Sequence, residues 1–588
     1  EPSARPQSAA EVAATLSRMI PNHEVAMPLA LGRARLVGRE NERTRVGDVV
    51  EGVRERKPNA ARLVMVSGPD GVGKSRFVHE VKAEVQLKGG RSAIGQCMED
   101  VRWAYRPIAD LARALAPLAG RAHLTDSEKE VVERLLPEVG GARALTTADM
   151  GKGERERFVA AAVELFLGLG GPNICVLIVE DVPFCDPASA VLLGAIIKRA
   201  KEASLLVVIT AADAQGPVPK EILEAAGNEI VRVKLEPLPR DDVKKLACSL
   251  LGVGDIPEGF AETLWSQSRG SPLMVEELLA LMIERGDLKR GDMGWKLDDW
   301  KSPGASAPLL AVLTERLQRL SDVERKTMSA LAVFNRPSGP KLLAAIAGVD
   351  VAAVRQALSI TEGHGLIRVV DEEDGRPRVV FRHPNIRDAL LQKLEEKGEL
   401  QTWHKTCAAV LEERSKGNID AVAETLAHHY EAAGESKRAV QMFFIAAEHA
   451  VATFAFEQGI TLGRRALRLL QKVGTDTLLL TRADLVVGKA MFLAGQTADA
   501  RAFLENAVTR PDSDKVAADV VGEMHVWLSR AMSALGQGDA GLRTVDKALA
   551  LVKPGEHPIA VARLYVARGE LKQRSDPAGA LADASKAM

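Results

Sequence analysis

The stretch Gly68-Pro69-Asp70-Gly71-Val72-Gly73-Lys74-Ser75 constrains this chain more than any other. An apolar run, Leu63-Val64-Met65-Val66, precedes it. A segment of helical period follows, with Phe77, Val78, Val81 and Val85 on one face and Arg76, His79, Glu80, Lys82 and Glu84 elsewhere. Strand, glycine-rich turn and helix in this order are the setting in which G-x-x-x-x-G-K-S becomes a phosphate cradle. Gly68, Gly71 and Gly73 let the backbone double back with its N–H groups, that of Val72 among them, turned inward. Side chains there would block a polyphosphate. The helix opening at Lys74, Ser75 and Arg76 adds its positive end. Lys74 has the reach for β- and γ-phosphates, and the Ser75 hydroxyl suits a place on Mg²⁺. A chance glycine-rich turn is the alternative, and the flanks argue against it.

At 588 residues the chain exceeds one core, and ordinary domain sizes suggest three to five. Aromatics are only 4% while alanine and leucine dominate, which points to mostly helices. A formal net charge of −1 and no long lysine-arginine stripe give no electrostatic case for nucleic acid, though a local patch is left open. Cys97, Cys175, Cys185, Cys248 and Cys407 are scattered without C-x-x-C spacing, so neither zinc nor a disulfide framework is indicated. They read as buried small apolar residues in a reducing cytoplasm. No apolar run has the length of a membrane span, and the first residues do not form a signal peptide. The chain begins at Glu1 and ends at Met588 inside a helical pattern, so both ends read as cut from something longer.

Residues 1–20 read as a turn and then a helix capped near Ser8, with Val12, Leu16 and Met19 along one face. This segment resembles the last helix of the serine/threonine protein kinase fold, which a D-P-x-x-R-P stretch precedes. Arg5 and Pro6 match, and Glu1 replaces the aspartate. No H-R-D and no D-F-G occur, so this chain supplies no kinase chemistry; the resemblance implies catalytic residues upstream. Residues 21–35, with prolines and no period, read as a linker.

Leu36-Val37-Gly38-Arg39-Glu40 enters a helix ahead of the cradle. Downstream, Ile174-Cys175-Val176-Leu177-Ile178-Val179 is an apolar strand ending in Glu180 and Asp181. Two acids at a strand end suit a magnesium shell, with one carboxylate free to orient or deprotonate water. Another strand, Leu205–Thr210, ends in Ala211-Ala212-Asp213. Leu235–Val243 closes the α/β core, and a helical region runs to about residue 300. Within it Gly270-Ser271-Pro272 stops one helix and starts the next, with Val275, Leu278, Leu279 and Met282 on one face. Residues 286–308 read as a short hairpin and linker. From Pro308 to about residue 395 three helices precede two short strands, the pattern of a winged helix. Residues 396–588 carry paired amphipathic helices with breaks at Gly434, Gly495, Gly536 and Ser575, followed by small residues such as Ala439, Ala500 and Ala580.

Together these motifs resemble the STAND class of signal-transduction ATPases, in the branch found in large bacterial regulators and behind kinase domains. The matching stretches are L-V-G-R-E at 36–40, the cradle, Tyr105-Arg106-Pro107-Ile108, the acids through Asp186-Pro187-Ala188-Ser189, and Phe381-Arg382-His383-Pro384 through Arg387-Asp388-Ala389. The resemblance implies a parallel α/β P-loop core over 36–237, a helical lid over 238–304 and a winged helix over 305–395. A tetratricopeptide-like solenoid over 396–588 completes it. It implies ATP/ADP and Mg²⁺ as cofactors, Gly38 and Arg39 near the base, Pro272 as a lid contact and His383 as a nucleotide sensor. It also implies a protein or peptide on the repeats, and leaves room for self-association on ATP binding. Glu180 replaces the family's first aspartate, and the arginine commonly found after the Leu205–Thr210 strand is missing. Two readings follow: a cytoplasmic switch with slow Mg-ATPase activity, in which Lys74, Asp181 and Glu180 are catalytic, or a scaffold that holds nucleotide without hydrolysing it. A third is a LuxR-type activator whose DNA-binding part lies beyond Met588.

Overall fold

The computed structural model describes residues 35–98, 104–119, 125–135, 153–169, 173–213, 216–291, 294–296, 309–371, 377–416, 418–474, 477–509, 518–552, 557–573 and 575–588. The kinase-like tail expected at 1–20, and residues 21–34 of the linker, lie outside them.

Five short runs form one parallel sheet: β1 (Leu63–Gly68), β2 (Arg91–Gln96), β3 (Cys175–Glu180), β4 (Leu205–Ala212) and β5 (Ile230–Lys234), in the order β2-β3-β4-β1-β5. Every residue of β3 and β4 is buried, as inner strands of a sheet covered on both faces must be. The helices around this sheet are α1 (Glu40–Arg54), α2 (Lys74–Leu87), α3 (Arg106–Ala119), α4 (Asp126–Leu135), α5 (Glu154–Leu169), α6 (Pro187–Arg199) and α7 (Lys220–Ala226). Alternate strand residues share a face. Val64 and Val66, Val176 and Ile178, and Leu206 and Val208 thus meet Val46, Val50 and Val53 of α1 and Phe77, Val78, Val81 and Val85 of α2 in one cluster. The α2 face expected from its period is the buried one. β1 and α2 are thereby fixed on either side of the glycine-rich turn, each buried Val or Phe contributing about 1.5–3 kcal/mol.

Two compact units emerge. Leu36–Leu238, Ser271–Leu273 and Gly398–Met588 belong to one, and Pro239–Gly270 with Met274–Lys397 to the other. The second unit holds α8 (Arg240–Leu251), α9 (Glu258–Ser268) and most of α10 (Pro272–Arg285). After these come a hairpin of β6 (Lys289–Gly291) and β7 (Gly294–Lys296), then α11 (Leu309–Gln318), α12 (Asp322–Phe334), α13 (Pro340–Ala347) and α14 (Val351–Gly363). Antiparallel β8 (Ile367–Asp371) and β9 (Pro377–Phe381) lead to α15 (Pro384–Glu396). Arg316 on α11 is buried in this unit. It ion-pairs with Glu277 and, at 2.9 Å, with Glu284, both on α10, and donates to the His364 carbonyl at 2.5 Å just past α14. Burial opposes ionisation of Glu284, but His364 and Arg316 outweigh it and hold the carboxyl below its ordinary range.

In the first unit α16 (Leu400–Arg414), α17 (Ala423–Ala432), α18 (Ser436–Ala452), α19 (Phe456–Val473), α20 (Thr477–Leu493) and α21 (Thr497–Val508) run in succession. α22 (Ala518–Ala534), α23 (Gly538–Leu551), α24 (Pro558–Lys572) and α25 (Pro577–Ala587) follow. Gly434, Gly495 and Gly536 end α17, α20 and α22 with φ of 77°, 83° and 78°, a conformation that favours glycine. Ala439 and Ala500, fully buried, let the next helix approach closely. Among the described residues no single helix is long and apolar enough to cross a membrane. Four cysteines are buried as expected, whereas Cys248 is half-buried, because it lies at the rim of α8.

Removing Arg316 leaves two carboxylates without their shared cation. Arg316→Ala is expected to destabilise the second unit by about 3–5 kcal/mol, and Arg316→Lys by less, since it keeps the charge but loses the planar fork. Thermal melting followed by circular dichroism checks both.

Candidate functional site

The site begins where β1 ends. Gly68, Gly71 and Gly73 have φ of 148°, 76° and 100°. A Cβ on Gly68 would lie 2.4 Å from the Leu235 carbonyl oxygen, so no other residue fits there. Lys74, in the first turn of α2, is 8% exposed and curls over the loop, donating to the carbonyls of Gly68 (3.0 Å) and Pro69 (3.1 Å), 3.6 Å from an Asp70 carboxylate oxygen. Ser75 and Arg76 are exposed beside it.

Arg39 stands at the N-terminal end of α1 without a side-chain capping bond, after Gly38, which sits at φ 67°. Its buried guanidinium donates to the carbonyls of Glu236 at 2.6 Å and Val72 at 3.3 Å. Across a trans peptide the C=O and the next N–H point opposite ways, so this bond turns the Gly73 N–H away from Arg39. Arg39 therefore fixes the orientation of a loop amide from outside the loop. The Gly71 carbonyl accepts from the Leu273 N–H (3.2 Å) and the Ser271 hydroxyl (3.3 Å), which seats the Ser271-Pro272-Leu273 segment on the cradle.

The acids stand two strands away, at the end of β3, with β4 between β3 and β1. Glu180 is buried, and its carboxylate lies 3.9 Å from His79 Nε2 on α2. Ser75 and His79 are four residues apart on one helix face, so the Ser75 hydroxyl shares the face directed at Glu180. Hydroxyl and carboxylate oxygens are the hard donors Mg²⁺ takes, and the set fits that ion. Asp181 has φ 54°, tolerated by aspartate, and its N–H donates to Thr210 Oγ1 at 2.9 Å. Asp186 has a different task. It caps α6 by accepting from the Ser189 N–H (2.9 Å) and also accepts from the Tyr105 N–H (3.3 Å). Burial pushes its carboxyl up to about 6.

His383 lies in the second unit, at the N-cap of α15, and its side chain makes no capping bond. Desolvation, then the neighbouring Arg382 and Arg368, hold its imidazole down at about 4, so it is neutral at pH 7. Gly38, Arg39, residues 68–76, Glu180, Asp181 and Pro272 thus all belong to the first unit, and His383 to the second.

Three participants were not read from sequence. His79 looked like a solvated helix position. Thr210 is the one hydroxyl in Leu205-Leu206-Val207-Val208-Ile209-Thr210-Ala211-Ala212, and a polar residue buried in an apolar strand is the signal that could have found it. The contact of the core with the repeats was also missed. Arg155 on α5 pairs with both carboxylate oxygens of Glu457 on α19, at 2.9 and 3.1 Å, and lies over the Phe456 ring at 5.4 Å. Beside it Tyr105 meets Phe158 edge-on and Phe158 meets Phe454 at a tilt, with successive centroids 5.4 Å apart. Tyr105 and Phe454, bulky residues, both sit at positive φ, 61° and 62°.

Residues 35–209 match the AAA ATPase domain family. A crystal structure of a STAND protein with a tetratricopeptide repeat sensor from Pyrococcus horikoshii superposes with a TM-score of 0.51. The match covers 96% of this chain and 72% of that one at 14% identity, and at that identity the likeness is one of fold. The parallel core and helical repeats expected from the motifs are thus the architecture observed. An uncharacterised curated protein of Rhizobium meliloti (strain 1021) is 25% identical over 432 residues, 70% of this chain and 40% of that protein. The chain therefore spans about two fifths of the curated relative it matches.

Asp186 yields a pH prediction. Its folded pKa is raised above the ordinary 3.8, so its favourable contribution is complete below that value and lost as pH rises through about 6. Asp186→Asn keeps the cap acceptor without the charge. It is expected to raise stability at pH 7.5 by up to about 3 kcal/mol and to leave it nearly unchanged at pH 4, read from melting temperatures at the two pH values.

Proposed function

We propose that this chain is an ATP-binding signal-transduction switch with slow Mg-ATPase activity. The observation that carries this reading is the cradle itself. Lys74 is held over three left-handed glycines, and Ser75 shares a helix face with the residue that meets Glu180. Lys74 would hold the β- and γ-phosphates, with N–H groups of the loop and the α2 N-terminus around them. Ser75, Glu180 and Asp181 would hold Mg²⁺, which neutralises charge on the β- and γ-oxygens when bound. Asp181 or Glu180 would orient the attacking water. Arg39 and Gly38 would border the base, with Pro272 as the lid contact and His383, a neutral imidazole, as the sensor. Residues 36–237 would form the nucleotide core, 238–304 the lid, 305–395 a winged helix and 396–588 the protein-binding repeats. The output would be a partner, a copy of the same chain on ATP binding, or a fused effector such as a serine/threonine kinase, in the cytoplasm.

The Arg155–Glu457 pair and the Tyr105–Phe158–Phe454 stack support coupling of repeats to core. Tyr105 donates to Asp186, which ends the loop that follows the two acids, so a shift of Phe454 bears on that loop through two aromatic rings. A ligand on the repeats and a nucleotide in the cradle would then influence each other equally.

A non-hydrolysing scaffold is the second reading. It is favoured by Glu180 in place of aspartate and by Ala211-Ala212-Asp213, with no arginine, at the end of β4.

Lys74→Ala is expected to abolish saturable ATP uptake and bring phosphate release to background. Glu180→Gln is expected to keep uptake and cut release by about 100-fold or more. Equal release from wild type and Lys74→Ala, with ATP still bound by the wild type, would leave the scaffold. Arg155→Glu sets like charges against Glu457 and is expected to change the ratio of ATP to ADP affinity by about threefold or more, measured by calorimetry. An unchanged ratio removes the coupling.

A further inference from the structure

α19 has one polar face. At 100° per residue, Glu457, Thr461, Arg464, Arg468 and Lys472 fall within an arc of about 80°. The first turn of that face is the one that reaches the core through Glu457. Its last turns are different. Arg464, Arg468 and Lys472 are exposed, and among the described residues no carboxylate pairs with any of the three. They recur every four residues, about 6 Å apart.

Next to this row is a cavity of about 470 Å³ lined by Glu431, Arg465, Arg468, Leu469, Gln471 and Lys472. Arg465 is already committed. It pairs with Glu431 of α17 at 2.6 Å and lies over the Phe443 ring of α18 at 5.2 Å. Leu469 is buried and forms an apolar floor. Three cations against one carboxylate leave the cavity positive. A phosphate backbone fits this lining less well, because the row is only about 12 Å long and Leu469 offers it nothing. A peptide does fit. Its carboxylates can meet the row, an apolar side chain can enter over Leu469, and main-chain N–H groups can donate to Glu431 and Gln471. Alternate side chains of an extended strand stand about 6.8 Å apart, close to the spacing of the cations.

We propose that the C-terminal half of α19 is a docking site for an acidic peptide segment, with carboxylates on Arg464, Arg468 and Lys472 and one apolar side chain in the cavity. The site deepens the switch reading and rests on it in one respect, that a partner on the repeats is the input. The occupant would sit on the same rigid helix whose first turn holds Arg155, so a tilt at one end is felt at the other.

The test uses the full chain and a fluorescein-labelled nonapeptide with glutamate at alternate positions and one central leucine. Fluorescence anisotropy is expected to show saturable binding that weakens with salt. Arg468→Glu with Lys472→Glu is expected to weaken it by about tenfold or more, while Arg468→Lys with Lys472→Arg stays within about threefold. A peptide with lysine for glutamate is expected not to bind. No binding of the glutamate peptide, or binding indifferent to charge reversal, overturns the proposal. So does tighter binding of a short single-stranded DNA through the same residues, which would make this a nucleic-acid site. Lys74→Ala separates the two readings, since it is expected to lose ATP and keep the peptide. Wild-type chain that takes up the peptide but no ATP sinks the switch and leaves the docking site standing.

Discussion

The first unit depends on one reversal of the backbone, at the end of β1, in space that no side chain can share. The Leu235 carbonyl closes that space at Gly68, and the Ser271–Leu273 segment closes it at Gly71. The turn is therefore held by backbone–backbone contacts as much as by its own glycines. Arg39 adds a third constraint by drawing the Val72 carbonyl outward. Ordering these amides in the folded chain means that a polyphosphate need not order them on arrival, which is what preorganisation contributes to affinity.

Much of this was legible beforehand, for a physical reason. A strand, a glycine-rich turn and a helix lie within 25 consecutive residues, 63–87, and depend on local patterning that a sequence displays directly. The same holds for three of the repeat breaks, where Gly434, Gly495 and Gly536 are left-handed and the following helix carries a small residue. β5 was harder. Ile230-Val231-Arg232-Val233-Lys234 alternates charge with apolar residues because it sits at the sheet edge, so its signal is weaker than that of β3 or β4. Residues 106–169 were not resolved into helices by pattern, although α3 and α5 bury Leu111, Leu115 and Phe166 completely.

The site was legible in its chemistry and obscure in its wiring. Lys74 and Ser75 announce themselves at the helix start after the glycine-rich turn, and Glu180 and Asp181 as acids at a strand end. Arg39 was placed near the base by resemblance, yet no spacing rule could reveal its bonds to Val72 and Glu236, 33 and 197 residues away. His79 is invisible for the same cause, since it acquires its role only when the helix and the strands across it are in register, whereas Thr210 shows one sign, a hydroxyl in an apolar strand. Long-range pairings such as Arg155 with Glu457, 302 residues apart, exist only in three dimensions.

Tyr105 and Phe454 hold backbone geometry that a ring-bearing residue adopts at a cost of about 1–3 kcal/mol each. Glycine at either place would relax the chain, and a search for heat resistance that scores local backbone comfort would favour it. Both rings are buried, however, and the cavity each would leave costs about 3–5 kcal/mol, more than the strain relieved. Local comfort and the contact joining α5 to the loop before α19 thus pull on the same two residues in opposite directions, and the contact prevails.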